Sequence, residues 1–209
     1  MKSLDDLISV PADEPGDAQA LAAYLRNDNA WLEVVAGIDS VVVRFDAAAM
    51  DTATAERRLA DALGSGVPAL EPEDILLEIP VVYGGEYGPD LEALCSDLSM
   101  TEDEFVALHS GTEYRVEMVG FTPGFAFIGG LDKRLHVPRR EQPRQRVAAG
   151  SVGIADGRTG IYALPSPGGW TLIGRTPYPL FDATAEDPFR LHVGMRVRFV
   201  AVAARVFPA

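Results

Sequence analysis

The sequence predicts an α+β protein of two domains, an α/β sandwich over residues 1–80 and a closed β-barrel over residues 81–209. Three observations support this. Elements alternate in the order β-α-β-β-α-β up to residue 83, which is the ferredoxin-like arrangement. Beyond residue 112, short strands alternate with turns rich in Gly and Pro, as in a barrel. Residues 1–110 carry 5 basic and 23 acidic side chains, whereas residues 111–209 carry 13 and 8, and such asymmetry favours two units.

The elements of the first domain follow from hydrophobic spacing. Strands are predicted at 6–10, 31–37, 40–46 and 74–83, and a helix at 17–27. Asp51 is the predicted cap of a second helix, which ends at Gly64. The first strand is the weakest element, because its sequence, ISVPADEPG, contains two prolines.

The second domain begins with two helices. Asp90 or Pro89 opens the first helix, and Thr101 with Glu104 forms a capping box for the next one. Cys95 lies on the apolar side of the first helix and is predicted to be buried. The predicted strands that follow are 114–119, 147–155, 160–164, 170–174 and 195–202.

Composition excludes several classes of function. A net charge of −13, with the acidic side chains mostly in the first half, argues against nucleic-acid binding. No apolar run is long enough to span a bilayer. The start lacks the features of a secretory signal, and with one cysteine the expected location is the cytoplasm. The motifs of a P-loop, a dinucleotide fold and a zinc site are missing, and no catalytic nucleophile is evident.

The stretch from Gly120 to Asp182 is the predicted functional region. GFTPGFAFIGG places three phenylalanines among four glycines, and an arginine- and proline-rich run, VPRREQPRQRV, follows it. Aromatic rings, bare backbone and guanidinium groups together predict a pocket for a small anionic or polar molecule. The alternative is a barrel whose tight corners need Gly and Pro.

Single residues in and near this region each have two interpretations. His109, at a helix end, is an acid or base, or it caps the last carbonyls. Arg139 and Arg144 adjoin prolines and bind an anion, or they belong to a solvated loop. Arg175 binds an anion or forms an ion pair with Asp182.

Two further features of the region are ambiguous. Ser166, in SPGGW, offers a hydroxyl beside backbone amides for a phosphate or oxyanion nest, or it lies in a simple turn. The phenylalanines of this region form either the wall of the predicted pocket or part of the hydrophobic core, and the sequence does not separate the two. They are Phe121, Phe125 and Phe127.

Several motifs resemble one family. IPVVYGGEYGPDL, LHSGTEYRVEMVGFTPGFAFIGGL, PRREQPRQRVAAGSVGIA, TGIYALPSPGGWTLIGRTP and PLFD resemble the family of 5-oxoprolinase B subunits, also called the KipI family or allophanate hydrolase subunit 1. The resemblance covers about residues 79–182. It implies a ferredoxin-like domain followed by a cyclophilin-like barrel. The family's longer first strand is replaced here by ISVPADEPG.

The resemblance also implies a function. It implies one component of an ATP-dependent 5-oxoprolinase, with ATP and Mg²⁺ bound at a site shared with a KipA-like C subunit, and a lactam-utilisation A subunit as a further partner. Phosphorylation of the lactam oxygen would let water open the ring, which needs positioning and charge stabilisation rather than a covalent nucleophile. Two alternatives remain: an inhibitor of a histidine kinase, and an allophanate hydrolase or urea carboxylase component.

On this chemistry we predict the site residues. The catalytic set is His109, Arg144 and Asp182, with His109 or Asp182 assisting proton transfer. The predicted substrate- or nucleotide-binding residues are Phe121, Gly124, Phe125, Gly129, Gly130, Arg139, Ser166, Gly168, Gly169 and Arg175. No metal ligand is predicted in the chain itself.

Overall fold

The chain divides into two units, Met1–Pro72 and Glu73–Ala209. The computed structural model describes residues 2–4, 6–13, 15–68 and 76–207. The division falls ahead of the strand that begins at Leu76, so this strand lies wholly in the second unit.

The first unit is a four-stranded antiparallel sheet with two helices. In chain order its elements are β1 (Lys2–Leu4), β2 (Leu7–Pro11), α1 (Pro15–Arg26), β3 (Trp31–Ala36), β4 (Ser40–Phe45) and α2 (Thr52–Gly64). The strand order is β1-β2-β4-β3. Alternate strand residues such as Ile8, Val41 and Val43 are buried against Leu21 and Leu59 of the helices, so one face of the sheet holds the core.

The helix boundaries in this unit follow local chemistry. Asp51 caps α2 by accepting a hydrogen bond from the Thr54 amide at 2.8 Å, which satisfies one of the free amides of the first turn. The predicted cap is therefore confirmed. Trp31 is also buried, at the start of β3.

The ferredoxin-like arrangement is not confirmed. It requires the strand after α2 to return to the same sheet, but β5 (Leu76–Tyr83) pairs with strands of the second unit. The place beside β2 is occupied by β1, through the register of Lys2 with Ser9. The alternation of LLEIPVVY predicts a strand correctly, yet it carries no information on which sheet that strand joins.

The second unit is a closed seven-stranded barrel in the order β10-β7-β6-β13-β5-β12-β9. Its elements are α3 (Leu91–Asp97), α4 (Glu102–Ser110), β6 (Glu113–Val119), β7 (Ala126–Gly129), β8 (Arg144–Val147), β9 (Ser151–Ala155), β10 (Arg158–Ile161), β11 (Ser166–Gly168), β12 (Thr171–Arg175) and β13 (Arg196–Ala201). The pair β5–β13 is parallel and the other barrel pairs are antiparallel. The predicted barrel is confirmed, and its cyclophilin-like character stays a prediction.

The predicted strand 147–155 is in fact two strands. Gly150 lies between them at φ +80°, a backbone conformation that glycine adopts without strain. β8 pairs with β11 in a separate two-stranded sheet, whereas β9 belongs to the barrel wall. The sequence also missed β7 and β11, because both lie in Gly- and Pro-rich segments typical of turns.

Helices α3 and α4 begin as predicted and close one side of the barrel core. Thr101 and Glu104 form the capping box, and Phe105 is fully buried. Cys95 is buried in the same apolar cluster, as predicted. Among the described helices, none has the length and apolar character needed to cross a membrane.

Candidate functional site

A cleft of about 350 Å³ opens in the barrel unit beside Arg175. Its walls come from residues 149–150, 163, 175–181 and 207. Apart from Arg175, the lining side chains are apolar or hydroxyl-bearing, and they include Tyr178, Phe181 and Phe207. The cleft therefore combines one positive charge with a largely apolar enclosure, as is usual for small-molecule sites.

Two glycines allow the walls of this cleft to meet. At Gly150 a Cβ would collide with the carbonyl oxygen of Thr176, and the Thr176 amide donates to the Gly150 oxygen at 2.9 Å. At Gly124, with φ +76°, a Cβ would lie 2.9 Å from the Cβ of Ala163 and 3.0 Å from that of Phe181. Any larger residue would displace a wall, because real Cβ contacts are longer than this.

Arg175 is fixed on one side and open on the other. Its Nε donates to the carbonyl oxygen of Ala149 at 2.9 Å. Its guanidinium carbon lies 5.6 Å from the centroid of the Phe207 ring, within cation–π range. Phe207 in turn stacks on Tyr87, with centroids 4.6 Å apart. Within the described part of the chain, neither terminal nitrogen of Arg175 has a hydrogen bond or an acidic partner.

The alternative of an Arg175–Asp182 ion pair is wrong. Asp182 is exposed, and its carboxylate accepts hydrogen bonds from the amide and hydroxyl of Thr184, at 2.9 and 2.6 Å. These bonds, first the one from the Thr184 side chain, lower the pKa of Asp182. A carboxylate with a lowered pKa is a poor proton carrier near neutral pH. Its predicted role in proton transfer has no support in this geometry.

Arg144 is tied into a group that the sequence did not foresee. Its two terminal nitrogens donate to the carboxylate of Asp90 at 2.7 and 3.0 Å. Arg140 reaches the same carboxylate at 3.3 Å, and the amide of Leu172 donates to it at 2.7 Å. We call Asp90, Arg140 and Arg144 the Asp90 cluster. Two guanidinium groups share one carboxylate, so the cluster keeps a net positive charge. Its hydrogen bonds hold the arginine-rich run in place.

The other arginines of the run differ in their partners. Arg139 pairs with Asp156 at 2.7 Å, and both side chains are at least half exposed. Arg139 and Arg144 therefore each have an acidic partner within the chain. Arg146 is exposed and has no ion pair among the residues that the structure describes.

The predicted nest at Ser166 is instead part of strand β11. Ser166 pairs with Val147 and Gly168 with Arg144 across the two strands. The Ser166 hydroxyl is buried and finds no partner in the described chain. A Cβ at Gly168 would collide with the Tyr162 hydroxyl, so this glycine serves the packing of Tyr162.

Gly169 supports the neighbouring loop. Its carbonyl oxygen accepts a hydrogen bond from the amide of Arg140 at 2.8 Å. Through this bond to Arg140, Gly169 contacts the Asp90 cluster.

His109 lies in the barrel interior. It is fully buried, with Nδ1 2.7 Å from the Tyr83 hydroxyl and Nε2 3.0 Å from Oγ1 of Thr159. Because the Thr159 hydroxyl donates to the oxygen of Gly153, Nε2 carries the proton and Nδ1 accepts from Tyr83. Burial lowers the pKa of His109 to about 3. The histidine is therefore neutral, and both ring nitrogens are hydrogen-bonded to side chains. Neither nitrogen caps a helix carbonyl.

The phenylalanines divide between core and surface. Phe125 is fully buried and contacts Trp170 edge-on, so it is core. Phe121 is 65% exposed and has φ +72°, a conformation that is strained for an aromatic residue. Gly129 is buried against the Glu117 side chain, and Gly130 is exposed at φ +98°.

The structure therefore brings only part of the predicted set together. Arg175 lines the cleft, and Gly124 packs directly behind its wall. The remaining predicted residues lie in the core, in the Asp90 cluster with its paired strands, or at the surface. The sequence did not mark Asp90 or Phe207 as site residues. The sequence carried a signal for neither residue, because Asp90 lies 54 positions from Arg144 and Phe207 lies beyond the Gly120–Asp182 stretch.

Comparison with known families identifies the class of protein. A model of the carboxyltransferase domain, subdomains C and D, matches residues 8–191, which is most of the chain. This chain belongs to that family.

Curated relatives narrow the assignment. A protein of Escherichia coli O157:H7 that is named as the B subunit of 5-oxoprolinase is 52% identical over 132 residues, 63% of this chain and 61% of that protein. The protein of the same name from Haemophilus influenzae is 40% identical over 181 residues, 87% of this chain and 84% of that protein. The resemblance to the family of 5-oxoprolinase B subunits is confirmed. The match spans less than two thirds of the E. coli protein.

Solved structures show the same fold. A conserved uncharacterized protein, PH0987, from Pyrococcus horikoshii is 34% identical with a TM-score of 0.62, and the match covers 98% of this chain and 97% of that one. The urea carboxylase of Kluyveromyces lactis superposes with a TM-score of 0.77 at 17% identity, over 98% of this chain and 22% of that one. At that identity the likeness concerns the fold alone.

Proposed function

We propose that this chain is the B subunit of an ATP-dependent 5-oxoprolinase, which opens the lactam ring of 5-oxoproline to give L-glutamate together with a KipA-like C subunit. The observation that carries the proposal is the name shared by relatives 52% and 40% identical to it. A lactam-utilisation A subunit is a further proposed partner.

The geometry of the cleft agrees with a protein that binds and positions rather than one that catalyses alone. Among the described residues that line it there is no His, Cys, Asp, Glu or Lys. The cleft therefore offers no general base and no activated nucleophile. What it offers is a guanidinium group and an apolar enclosure, which are binding functions. We propose that the groups that perform the chemistry are completed only in the assembled complex.

Several residues predicted to bind a nucleotide are engaged within the chain. Arg139 and Arg144 are paired with Asp156 and Asp90, and the nest predicted at Ser166 is a paired strand. No group of three or more His, Cys, Asp or Glu in the described chain is arranged to hold a metal ion. We therefore propose ATP and Mg²⁺ as requirements of the complex and assign no contact with them to this chain.

The test is a reconstitution. The chain is co-expressed with the candidate C subunit and, in a second arm, also with the candidate A subunit, and formation of L-glutamate from L-5-oxoproline is measured with and without ATP. We expect turnover only with ATP and only when the partner is present. A complex that assembles and leaves 5-oxoproline unchanged would contradict the proposal. Assays of histidine-kinase inhibition and of allophanate turnover with the same preparations test the two alternatives.

A variant comparison addresses this chain's contribution. Arg175→Met should lower turnover of the complex while assembly is preserved, because the residue lines an open cleft. Arg144→Ala, by contrast, should act through stability, since Arg144 is bound by Asp90. Equal loss of turnover in an equally stable Arg144→Ala complex would move the site to the Asp90 cluster.

A further inference from the structure

We infer that the Arg175 cleft is a receptor for a small carboxylate. The identity of the ligand rests on the proposed function: we assign the carboxylate of 5-oxoproline to this cleft. Arg175 is the group that binds the carboxylate, and Phe207 is a positioning residue that sets the plane of the guanidinium.

The first support is the state of the Arg175 guanidinium. Nε is occupied by Ala149, which fixes the orientation of the fork. The two terminal nitrogens have no partner in the described chain, although the residue is only partly exposed. A guanidinium that is held at one nitrogen and open at the other two matches a carboxylate, which accepts two parallel hydrogen bonds from such a fork.

The second support is the clamp on the face of the guanidinium. Phe207 contacts both Arg175 and Tyr87: its ring centroid lies 5.6 Å from the guanidinium carbon, and the ring is stacked on that of the tyrosine. Such a stack restricts rotation of the arginine side chain, so less conformational entropy is lost when a ligand binds. Tyr87 therefore anchors the positioning residue from outside the cleft.

The third support is the chemistry of the walls, which selects a carboxylate over a phosphate chain. The amides of Gly150 and Thr176 already donate to the carbonyl oxygens of Tyr162 and Gly150, at 2.7 and 2.9 Å. They are not available as the row of amides that a phosphate group needs. Among the described lining residues there is a single cation, and the walls include Leu180 and Phe181. The cleft therefore suits a singly charged, compact ligand with an apolar body.

The test measures binding rather than turnover, on the isolated chain and on the co-purified complex. The probes are L-5-oxoproline and 2-pyrrolidinone, which has the same ring without the carboxylate, titrated calorimetrically up to millimolar concentration. We expect 5-oxoproline to bind more tightly than 2-pyrrolidinone. Arg175→Met should weaken 5-oxoproline binding about 10- to 100-fold, the range of a charge-assisted hydrogen-bonded pair, and leave 2-pyrrolidinone unaffected.

Matched variants define the roles. Arg146→Met removes the same charge from an exposed arginine outside the cleft and should change the Kd of 5-oxoproline less than about twofold. Arg175→Lys keeps the charge but loses the fork, so it should remain weaker than wild type. Phe207→Leu should weaken binding about two- to fivefold through the lost cation–π contact, and it should weaken binding of 2-pyrrolidinone less, as a positioning role requires.

The outcomes separate this inference from the proposed function. If the complex turns over 5-oxoproline and Arg175→Met leaves KM unchanged, the carboxylate assignment is wrong and the function stands. If the complex is inactive but 5-oxoproline binds in an Arg175-dependent way, the receptor stands and the function is wrong. Absence of binding to either form, or Arg175-dependent binding of ATP or inorganic phosphate more tightly than of 5-oxoproline, overturns the inference.

Discussion

Both carboxylate oxygens of Asp90 accept hydrogen bonds from the guanidinium of Arg144, at 2.7 and 3.0 Å, across 54 residues of sequence. The two side chains are 14% and 26% exposed, so the pair is shielded from solvent. Asp90 immediately precedes α3, whereas Arg144 begins β8. The contact therefore ties the arginine-rich loop to a helix of the barrel unit.

Replacing Asp90 should destabilise the barrel. In Asp90→Asn two guanidinium groups lose their carboxylate, and we expect the free energy of unfolding to fall by about 2–3 kcal/mol. Urea unfolding followed by Trp170 fluorescence, in a Trp31→Phe background so that only the barrel reports, measures this.

The control for that experiment is the exposed pair between Arg139 and Asp156. Asp156→Asn removes the pair at a position with φ +50°, which Asn tolerates. A loss below about 1 kcal/mol is expected there. Similar losses in the two variants would show that the Asp90 cluster is not a structural centre.

Acid should weaken the barrel through His109. Burial lowers the pKa of His109 to about 3 in the folded protein, whereas the unfolded chain takes up the proton below about 6.5. Between these values the unfolded state binds one more proton, so the free energy of unfolding decreases as pH falls, by about 1.4 kcal/mol per pH unit from this residue.

His109→Gln tests this dependence, because glutamine supplies a donor for Thr159 and an acceptor for Tyr83 without titrating. The measurement is the stability of the variant and of the wild type across pH 4 to 8 under the same fluorescence assay. The curve of the variant should be flatter below about pH 6.5. Parallel curves would mean that His109 is protonated equally in both states.

Adding a methyl group at Gly124 should both strain the backbone and push on the cleft wall. Gly124→Ala places a Cβ 2.9 Å from Ala163 and 3.0 Å from Phe181 at φ +76°. We expect a loss of about 2–4 kcal/mol in the free energy of unfolding, the sum of left-handed strain and overpacking.

Gly194→Ala is the matched control, because Gly194 has φ +91° and no atom within 4 Å of the added Cβ. Strain alone should cost about 1–2 kcal/mol there. If the two variants are equally destabilised, the close approach behind the cleft has no energetic weight.

The strained backbone at Phe121 gives a prediction that does not depend on side-chain packing. Phe121 is 65% exposed with φ +72°, and both Phe121→Asn and Phe121→Val remove its ring contact with Phe125. Asn tolerates left-handed backbone and Val does not, so the Asn variant should be more stable by about 1 kcal/mol or more. Thermal or urea unfolding of the two variants decides the point, and equal stability would contradict the strain.

Local chemistry was predicted well from sequence. The capping of α2 by Asp51 and the capping box of Thr101 and Glu104 depend on residues a few positions apart, and such patterns are written in the sequence itself. Burial of Cys95 follows in the same way from helical spacing.

Long-range pairing was not predictable. The strand Leu76–Tyr83 has the same apolar pattern whether it completes the first sheet or enters the barrel. Its place is decided by the partner strands Thr171–Arg175 and Arg196–Ala201. The arginines posed the same problem. Sequence spacing marked Arg139, Arg144 and Arg175 equally, but Asp156 and Asp90 lie 17 and 54 positions from the first two and neutralise them, which leaves Arg175 to face the cleft.

The parallel pair β5–β13 also has a consequence for synthesis on the ribosome. The first strand of the barrel is made more than a hundred residues before the strand that lies beside it, so the ring stays open until the last strand emerges. The sheet of the first unit, complete by Phe45, has no such delay. Nascent chains that stop before Arg196 leave one edge of β5 unpaired, and an unpaired edge is prone to association with other chains.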